Sequence, residues 1–331
     1  MNMLRKIVFF TVLLALLTAC APQTTPMPAP VMTEPAAATE SPATEAPATE
    51  PPAVSYTFND GLGREVTLAG PAQRVVSLAP SNTEILFAVG AGSQVVGRDE
   101  FSDYPAEAAS IDSVGGSMGQ YSAEAVVALK PDLVLAAEIN THELVKQLED
   151  LGLTVYYLKN PTTMEEMYVN LEVAGQLTGH DVTELVDSLK ARVAAVDEKI
   201  ASATDKPIVF YEIDASDASK PFTYGPGTFG DLLITRAGGI NFSTAAGITD
   251  AYPQVSLEQV VATNPNIIVL GDSMWGTTPE SVQARAGWDV LDAVKNDKIF
   301  PIDDNLVSRP GPRLVDGLEQ LAKLLHPELF R

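Results

Sequence analysis

Two stretches of this 331-residue chain repeat one another at a fixed offset of 134. Residues 122–136 read SAEAVVALKPDLVLA and residues 256–270 read SLEQVVATNPNIIVL; Ser, Glu, Val, Val, Ala and Pro coincide, six of fifteen positions. Each copy describes a Ser that caps a helix, a short helical run, a Lys-Pro or Asn-Pro that ends it, and a buried apolar strand. A helix feeding a strand, written twice, calls for two equivalent α/β halves with a crevice between them. In open α/β sheets ligands sit beyond the carboxyl ends of the strands, so facing halves make that crevice a two-sided pocket.

The rest of the chain fits this frame. A hairpin-like opening (Tyr56-Thr57-Phe58, a turn at Asp60-Gly61 and Gly63, and Glu65 to Leu68) gives way to short β-rich runs alternating with helical ones. Strands are expected at 75–78, 95–97, 133–136 and 154–158, and helices at 81–89, 123–129 and 142–151, with Gly90 and Gly152 as stops. Residues 163–177 and 181–203 then carry helical signal only. The second run places Val182, Leu185, Leu189, Val193, Val196 and Ile200 at spacings of three or four, one apolar stripe over about six turns. Alternation resumes after Pro207, with segments at 208–213, 231–236, 257–262 and 267–270 and a final helix over 313–325. The expected fold is α/β: two Rossmann-like lobes with mainly parallel sheets joined by a single long inter-lobe helix. The N-terminal lobe is expected over 54–160, a helical segment including the inter-lobe backbone helix over 161–205, and the C-terminal lobe over 206–331.

Two segments ahead of the lobes cannot join a core. Residues 1–20 hold Arg5 and Lys6, an apolar run from Ile7 to Leu17 and a small-residue exit at Cys20, the pattern of a secretory signal too short to be a bilayer-spanning helix. Leu17-Thr18-Ala19-Cys20 resembles a bacterial lipobox, which makes Cys20 the expected site of lipid attachment and of membrane anchoring. Residues 21–53 contain nine Pro, nine Ala, six Thr and four Glu, with no aromatic and no basic residue, and are expected to form a disordered, polyproline-rich tether.

Residues 54–331 hold nineteen basic and thirty-nine acidic residues, a net charge of −20. That balance argues against nucleic acid as a partner, because phosphate binding needs clustered Lys and Arg. One Cys excludes an internal disulfide and any Cys-rich metal site, and His142, His180 and His326 share no ligand spacing, so no cofactor or resident metal is expected. Two motifs suggest enzymes. Gly225 to Gly230 matches GxGxxG with Asp250 twenty residues beyond, but about ten residues separate it from the preceding strand where a dinucleotide fold needs an immediate turn. Gly115 to Gly119 matches GxSxG, which would make Ser117 the nucleophile of a secreted serine hydrolase with His326 as its base; no strand runs into Ser117 and no helix follows at once. The chain is expected not to be an enzyme.

At these residues the chain resembles bacterial ABC-importer substrate-binding proteins of the helical-backbone class, which take up cobalamin, haem or ferric siderophores. The resemblance spans residues 56–328. Its marks are Asp60-Gly61-Leu62-Gly63-Arg64, the run RVVSLAPSNTEILFAVGAG over 74–92, Ser102-Asp103-Tyr104-Pro105, Ala128 to Asp132, the inter-lobe helix, Ala237-Gly238-Gly239 and Ser308-Arg309-Pro310-Gly311-Pro312-Arg313. SDYP and the last motif lean toward the cobalamin-binding branch. The resemblance implies a monomeric, lipid-anchored receptor on the extracytoplasmic face of the membrane. It would capture cobalamin or a related corrinoid between its lobes and deliver it to a permease dimer; a ferric siderophore or haem receptor is the alternative within the class.

Two sets of residues carry these expectations. Glu124 and Glu258 each lie two residues after a capping Ser. A first-turn carboxylate complements the helix dipole by about 0.3–1 kcal/mol whatever else it does. The resemblance adds that the pair docks against permease arginines, an encounter that the acidic body would steer. The loops expected to face the cleft are 79–82, 101–104, 115–121, 222–228, Tyr252, 274–275 and 306–309. They carry Phe101, Tyr104, Met118, Tyr121, Phe222, Tyr224, Tyr252 and Trp275, walls that suit a large, flat, partly apolar ligand, although loop packing accounts for any single one. The resemblance places Phe101, Met118, Phe222, Tyr252 and Arg309 on a cobalamin pocket, with Met118 and Tyr252 where the best-known members carry tryptophan. A haem ligand would take Tyr224 or Tyr252 as its axial partner. Arg309, held extended before Pro310, is expected to face a ligand anion, and Arg313 to pair with an acid such as Asp316.

Overall fold

The computed structural model describes residues 56–331. The expected signal, tether and Cys20 lie outside the described residues. Two sheets form the frame. In the first half, β3 (Val75–Ser77), β4 (Val95–Arg98), β5 (Leu133–Ala137) and β6 (Val155–Leu158) run parallel in the order β4-β3-β5-β6. In the second, β7 (Ile208–Asp214), β8 (Phe222–Thr223), β9 (Ile240–Asn241), β10 (Ile267–Leu270) and β11 (Ile299–Pro301) take the order β11-β10-β7-β8. Here β9 lies parallel along the start of one edge of β7 and β8 antiparallel along its end, the one antiparallel pairing within the two large sheets.

These strands are near-continuous apolar runs because both faces of a parallel sheet are covered. Side chains alternate between two cores, as strand geometry requires. Val75, Leu133 and Leu135 point to the face shared with the central helices, while Val76, Val134 and Ala136 point to the outer face of the first lobe. Val209, Tyr211, Ile267 and Val269 divide from Phe210, Ile268 and Leu270 in the same way. The covering helices are α1 (Pro80–Ala88), α2 (Ala123–Ala128) and α3 (His142–Asp150) in the first lobe. In the second they are α6 (Phe229–Arg236), α7 (Phe242–Ala245), α8 (Leu257–Thr263), α9 (Pro279–Gln283), α10 (Asp292–Lys295) and α11 (Leu314–Leu325). Among the described residues no helix is long and apolar enough to cross a membrane.

The repeat is visible as geometry. Ser122 accepts from the Ala125 amide and Ser256 from the Gln259 amide, so each caps its helix. The residue before each proline, Lys130 and Asn264, turns the chain left-handed with φ of 49° and 50°, and the strand follows. Asn suits that conformation and Lys does not, so the shared turn is dictated by the repeat and not by local preference.

Between the lobes stand α4 (Met164–Thr178), which ends at left-handed Gly179, and α5 (Thr183–Ile200), 18 residues or about 27 Å long. Helix α4 packs on α1 and on α5, and α5 packs on α11. Of the stripe read from the sequence, Val182, Leu189, Val193 and Val196 are buried and Leu185 and Ile200 half-buried, and Val186, which the stripe did not include, is buried as well. One core runs without interruption from Val75 and Leu135 through Leu171, Leu189 and Val193 to Leu318 and Leu321. Sliding one lobe along the other would expose this core, so the packing permits only small relative rotation.

The opening hairpin, β1 (Tyr56–Asn59) and β2 (Glu65–Leu68), is fastened to the end of β6 through the buried side chain of Asp60. Asp60 accepts from the amides of Leu62, Arg64 and Tyr157 and from the Arg64 guanidinium, which also reaches Glu149. Burial acts to raise the Asp60 pKa, but the Arg64 guanidinium and these amides hold it below its ordinary 3.8. The carboxylate therefore stabilises the fold above that pH, and the contribution is lost as pH falls through the depressed folded value. Asp60→Asn is expected to lower the stability to urea by about 1–3 kcal/mol at pH 7. The gap to the native protein should narrow below the ordinary pKa of 3.8.

Candidate functional site

A cavity of about 860 Å³ opens between the lobes. That is toward the upper end of the roughly 300–1,000 Å³ usual for small-molecule sites. It lies where the repeat places it, at the carboxyl ends of the strands. Ala79 and Ser81 follow β3, Asp99 to Asp103 follow β4, Glu138 and Ile139 follow β5, and Asn160 follows β6. From the other lobe, Met274 and Trp275 follow β10 and Asp304 to Pro310 follow β11, with Phe229 and Tyr252 completing the wall. The apolar side chains left uncovered are Phe101, Met118 and Ile139 on one side and Tyr252, Met274 and Trp275 on the other.

Local structure aims these groups. The Asp99 carboxylate accepts from the Phe101 amide (2.8 Å) and from the Tyr121 hydroxyl (2.8 Å), which pins the loop that presents Phe101. Met118 sits at the tip of a loop in which Gly115, Gly116, Met118 and Gly119 all have positive φ. A Cβ on Gly116 would stand 2.0 Å from an Asp99 carboxylate oxygen, so only glycine lets this loop lie against Asp99. Trp275 closes a 3₁₀ turn over Gly271–Trp275, anchored by Asp272, whose carboxylate accepts from the Ala215 amide and the Thr277 hydroxyl.

Of the seven ligand-facing positions expected from sequence, Phe101, Met118, Tyr252, Trp275 and Arg309 line the cavity. Tyr224 does not reach it: it is buried in the second lobe, with its ring against Tyr211, Phe229 and Tyr252. Phe222 sits on the short edge strand β8 and is not among the lining residues. Asp99, Glu100, Glu138, Ile139, Asn160 and Asp304 are lining residues that sequence reasoning passed over. Glu138 and Ile139 could have been found, because they directly follow a strand whose partner in the repeat leads into Met274 and Trp275.

Arg309 and Arg313 have a different arrangement from the one expected. Glu84, on α1 with its side chain 1% exposed, receives both. Arg309 lies 3.0 Å from Glu84 and 2.6 Å from Asp103, and also donates to the Phe101 carbonyl. Arg313 makes a two-point contact with Glu84 at 2.8 and 2.5 Å and lies 3.9 Å over the ring of Tyr104. Arg313 thus pairs across the lobes, while Asp316 pairs with Arg192 of α5. Arg309 does line the cavity, but with its guanidinium occupied; a ligand anion would have to displace Asp103.

The electrostatics of the wall follow. Asp99, Glu100, Asp103, Glu138 and Asp304 stand against one cation, Arg309. Burial raises the pKa of Asp99, despite the Tyr121 hydrogen bond, and that of Asp304, despite its bond from Tyr211 at 2.7 Å. Tyr252 is raised too, by burial and by the nearby Glu138 carboxylate, which opposes its ionisation to phenolate.

The sequence matches the Periplasmic binding protein family over residues 75–306. The chain belongs to that family. It is 34% identical over 282 residues, 83% of its length and 87% of the relative's, to an uncharacterised ABC transporter substrate-binding lipoprotein of Bacillus subtilis. It is 31% identical over 274 residues to a vitamin B12-binding protein of Vibrio cholerae, covering 77% of this chain and 90% of that one. Among solved structures it resembles a periplasmic haem-binding protein from a Roseiflexus species, with a TM-score of 0.69 and 26% identity, covering 78% of this chain and 99% of the other.

The two glutamates of the periplasmic binding protein's repeat are exposed in the first turns of α2 and α8. Each helix runs antiparallel to the strand it feeds, so its first turn lies at the carboxyl edge of its sheet, on the same side as the cavity. The motif glycines have packing roles. A Cβ on Gly225 would meet the Asp250 carbonyl and one on Gly230 the ring of Tyr224. Ser117 opens the turn that carries Met118, whereas the His326 ring nitrogens face the Gly238 carbonyl and Glu328. His142 packs edge-on to Tyr157, and His180 bonds Gln94.

The Glu84 cluster yields a stability test. Glu84→Gln leaves the largely buried Arg313 guanidinium without a counter-charge and Arg309 with Asp103 alone, and is expected to cost about 3–5 kcal/mol in urea unfolding. Arg313→Met, which leaves Glu84 paired with Arg309, should cost distinctly less; equal losses would show that the two arginines do not share one acid.

Proposed function

We propose that this protein is the lipid-anchored, extracytoplasmic receptor of an ABC importer, and that its cargo is cobalamin or a related corrinoid. The observation that carries the cargo is the composition of the cleft wall: six uncovered apolar side chains, five carboxylates, and one arginine already held by Glu84 and Asp103. A corrinoid offers a broad apolar ring edged by neutral amides, which such a wall can accept. Haem brings two propionates and many ferric siderophores a net negative charge, and each would meet acids with no free cation to answer them. Haem also wants an axial ligand, and neither tyrosine suits: Tyr224 is in the core, and burial and the Glu138 carboxylate raise the Tyr252 pKa, which opposes the phenolate form. The vitamin B12-binding relative from Vibrio cholerae supports the same reading.

Delivery is assigned to Glu124 and Glu258, one on each lobe, docking on arginines of the two permease subunits, while Cys20 carries the lipid. The receptor works as a monomer and performs no chemistry on its cargo. Phe101, Met118, Tyr252 and Trp275 contact the ligand, and Arg309 reaches it only by exchanging partners.

Calorimetric titration with cyanocobalamin, haemin and ferric siderophores tests the cargo. Cyanocobalamin is expected to bind at least tenfold more tightly than the anionic ligands, about 1.4 kcal/mol; preference for haemin or a siderophore would overturn the corrinoid assignment. Charge reversal at both Glu124 and Glu258 should abolish stimulation of the permease ATPase and leave cyanocobalamin affinity unchanged. A fall in affinity would place these glutamates in the ligand site instead.

A further inference from the structure

We propose that Met118 and Met274 form an oxidation-sensitive pair on the two walls of the cleft, and that their conversion to sulfoxides reversibly blocks ligand capture. Four methionines fall among the described residues, and they divide sharply. Met164 and Met167, on α4, are 0% and 1% exposed in the shared core. Met118 and Met274 are 94% and 53% exposed, and both line the cavity. They come from opposite lobes: Met118 from the glycine-rich tip after β4, Met274 from the 3₁₀ turn after β10.

A peroxide reaches such thioethers without any opening of the fold. The sulfur lone pair attacks one oxygen of the O–O bond; an S–O bond forms, the O–O bond breaks, and water leaves after proton transfer. The sulfur is oxidised by two electrons and the peroxide is reduced by two. The product is polar where the thioether was apolar and pliable. Its oxygen demands hydration that an apolar ligand would strip away on entering the cleft. With φ of Met118 at 51° in a loop of positive-φ glycines, the residue sits at the tip of a left-handed turn, and its side chain is 94% exposed there.

Placement on both walls has a consequence for regulation. A ligand held between the lobes covers both sulfurs, so the occupied receptor resists peroxide and the empty one is inactivated. This inference rests on the cleft being the ligand site.

The test treats the full-length protein with graded hydrogen peroxide, with and without cyanocobalamin, and follows each methionine by peptide mass spectrometry alongside binding. Met118 and Met274 should each gain one oxygen while Met164 and Met167 stay unmodified, and bound cyanocobalamin should slow the first two. Affinity should fall about tenfold or more when both are sulfoxides and return after treatment with methionine sulfoxide reductases A and B. Whatever affinity the volume-conserving double variant M118L/M274L has before peroxide, that affinity should be unchanged after it, because neither position can then form a sulfoxide. Oxidation of Met164 and Met167 as fast as the cleft pair, or unchanged affinity with both cleft sulfurs oxidised, would overturn the proposal. Untreated protein that binds none of cyanocobalamin, haemin and ferric siderophores would sink the receptor reading and this inference with it. Binding that survives full oxidation of the pair would sink this inference alone.

Discussion

A buried carboxylate shared by two arginines joins the halves of this molecule. Glu84 belongs to the first lobe and Arg309 and Arg313 to the segment leading into α11 of the second. An unpaired acid at this depth would be strongly unfavourable, and so would two guanidiniums left without it. Each lobe therefore completes the other's charge balance. The shared apolar core behind the cluster acts in the same direction, since any large separation would bring α5 and α11 into water. What remains is a cleft whose two walls are held near their working separation before a ligand arrives, which reduces the ordering cost of binding.

The same cluster sets the chemistry of the cleft. Because Arg309 is drawn back onto Glu84 and Asp103, the wall keeps its carboxylates and presents no free positive charge among its lining residues. Tyr104 helps, its ring covering Arg313 on the far side of the cluster. On the proposed reading, selection against anionic cargo would come from this structural interaction, which keeps the one lining arginine occupied.

How much of this was legible in the sequence differs from element to element. The repeat gave both lobes and the location of the cleft, because a capped helix followed by a strand is a local pattern. The stripe along α5 was almost as plain: four of its six positions, Val182, Leu189, Val193 and Val196, are buried, and only Val186 was missed. Tyr224 misled because an aromatic next to a glycine motif reads as a loop residue; only the fold shows Gly230 lying under its ring. Arg313 misled for a different reason. Asp316 is near it in sequence, whereas Glu84 is 229 positions away, and no local rule reports a pairing across that separation. Arg309 lines the cleft, but the partners that occupy its guanidinium come from α1 and the loop after β4, again remote in sequence.

The two lobes are equivalent as scaffolds and unequal as walls. Both use a Ser cap, a left-handed residue before proline and a buried strand to bring a loop to the cleft. The loops themselves diverge: after β5 the chain offers Glu138 and Ile139, and after β10 it offers Met274 and Trp275. Most of the lining acids stand on the first lobe and the large rings of Tyr252 and Trp275 on the second. The proposed corrinoid would accordingly turn its neutral hydrogen-bonding edge to one wall and its apolar face to the other. That asymmetry arises where the repeat ends, because the residues beyond each strand are free of the packing that keeps the repeated unit alike.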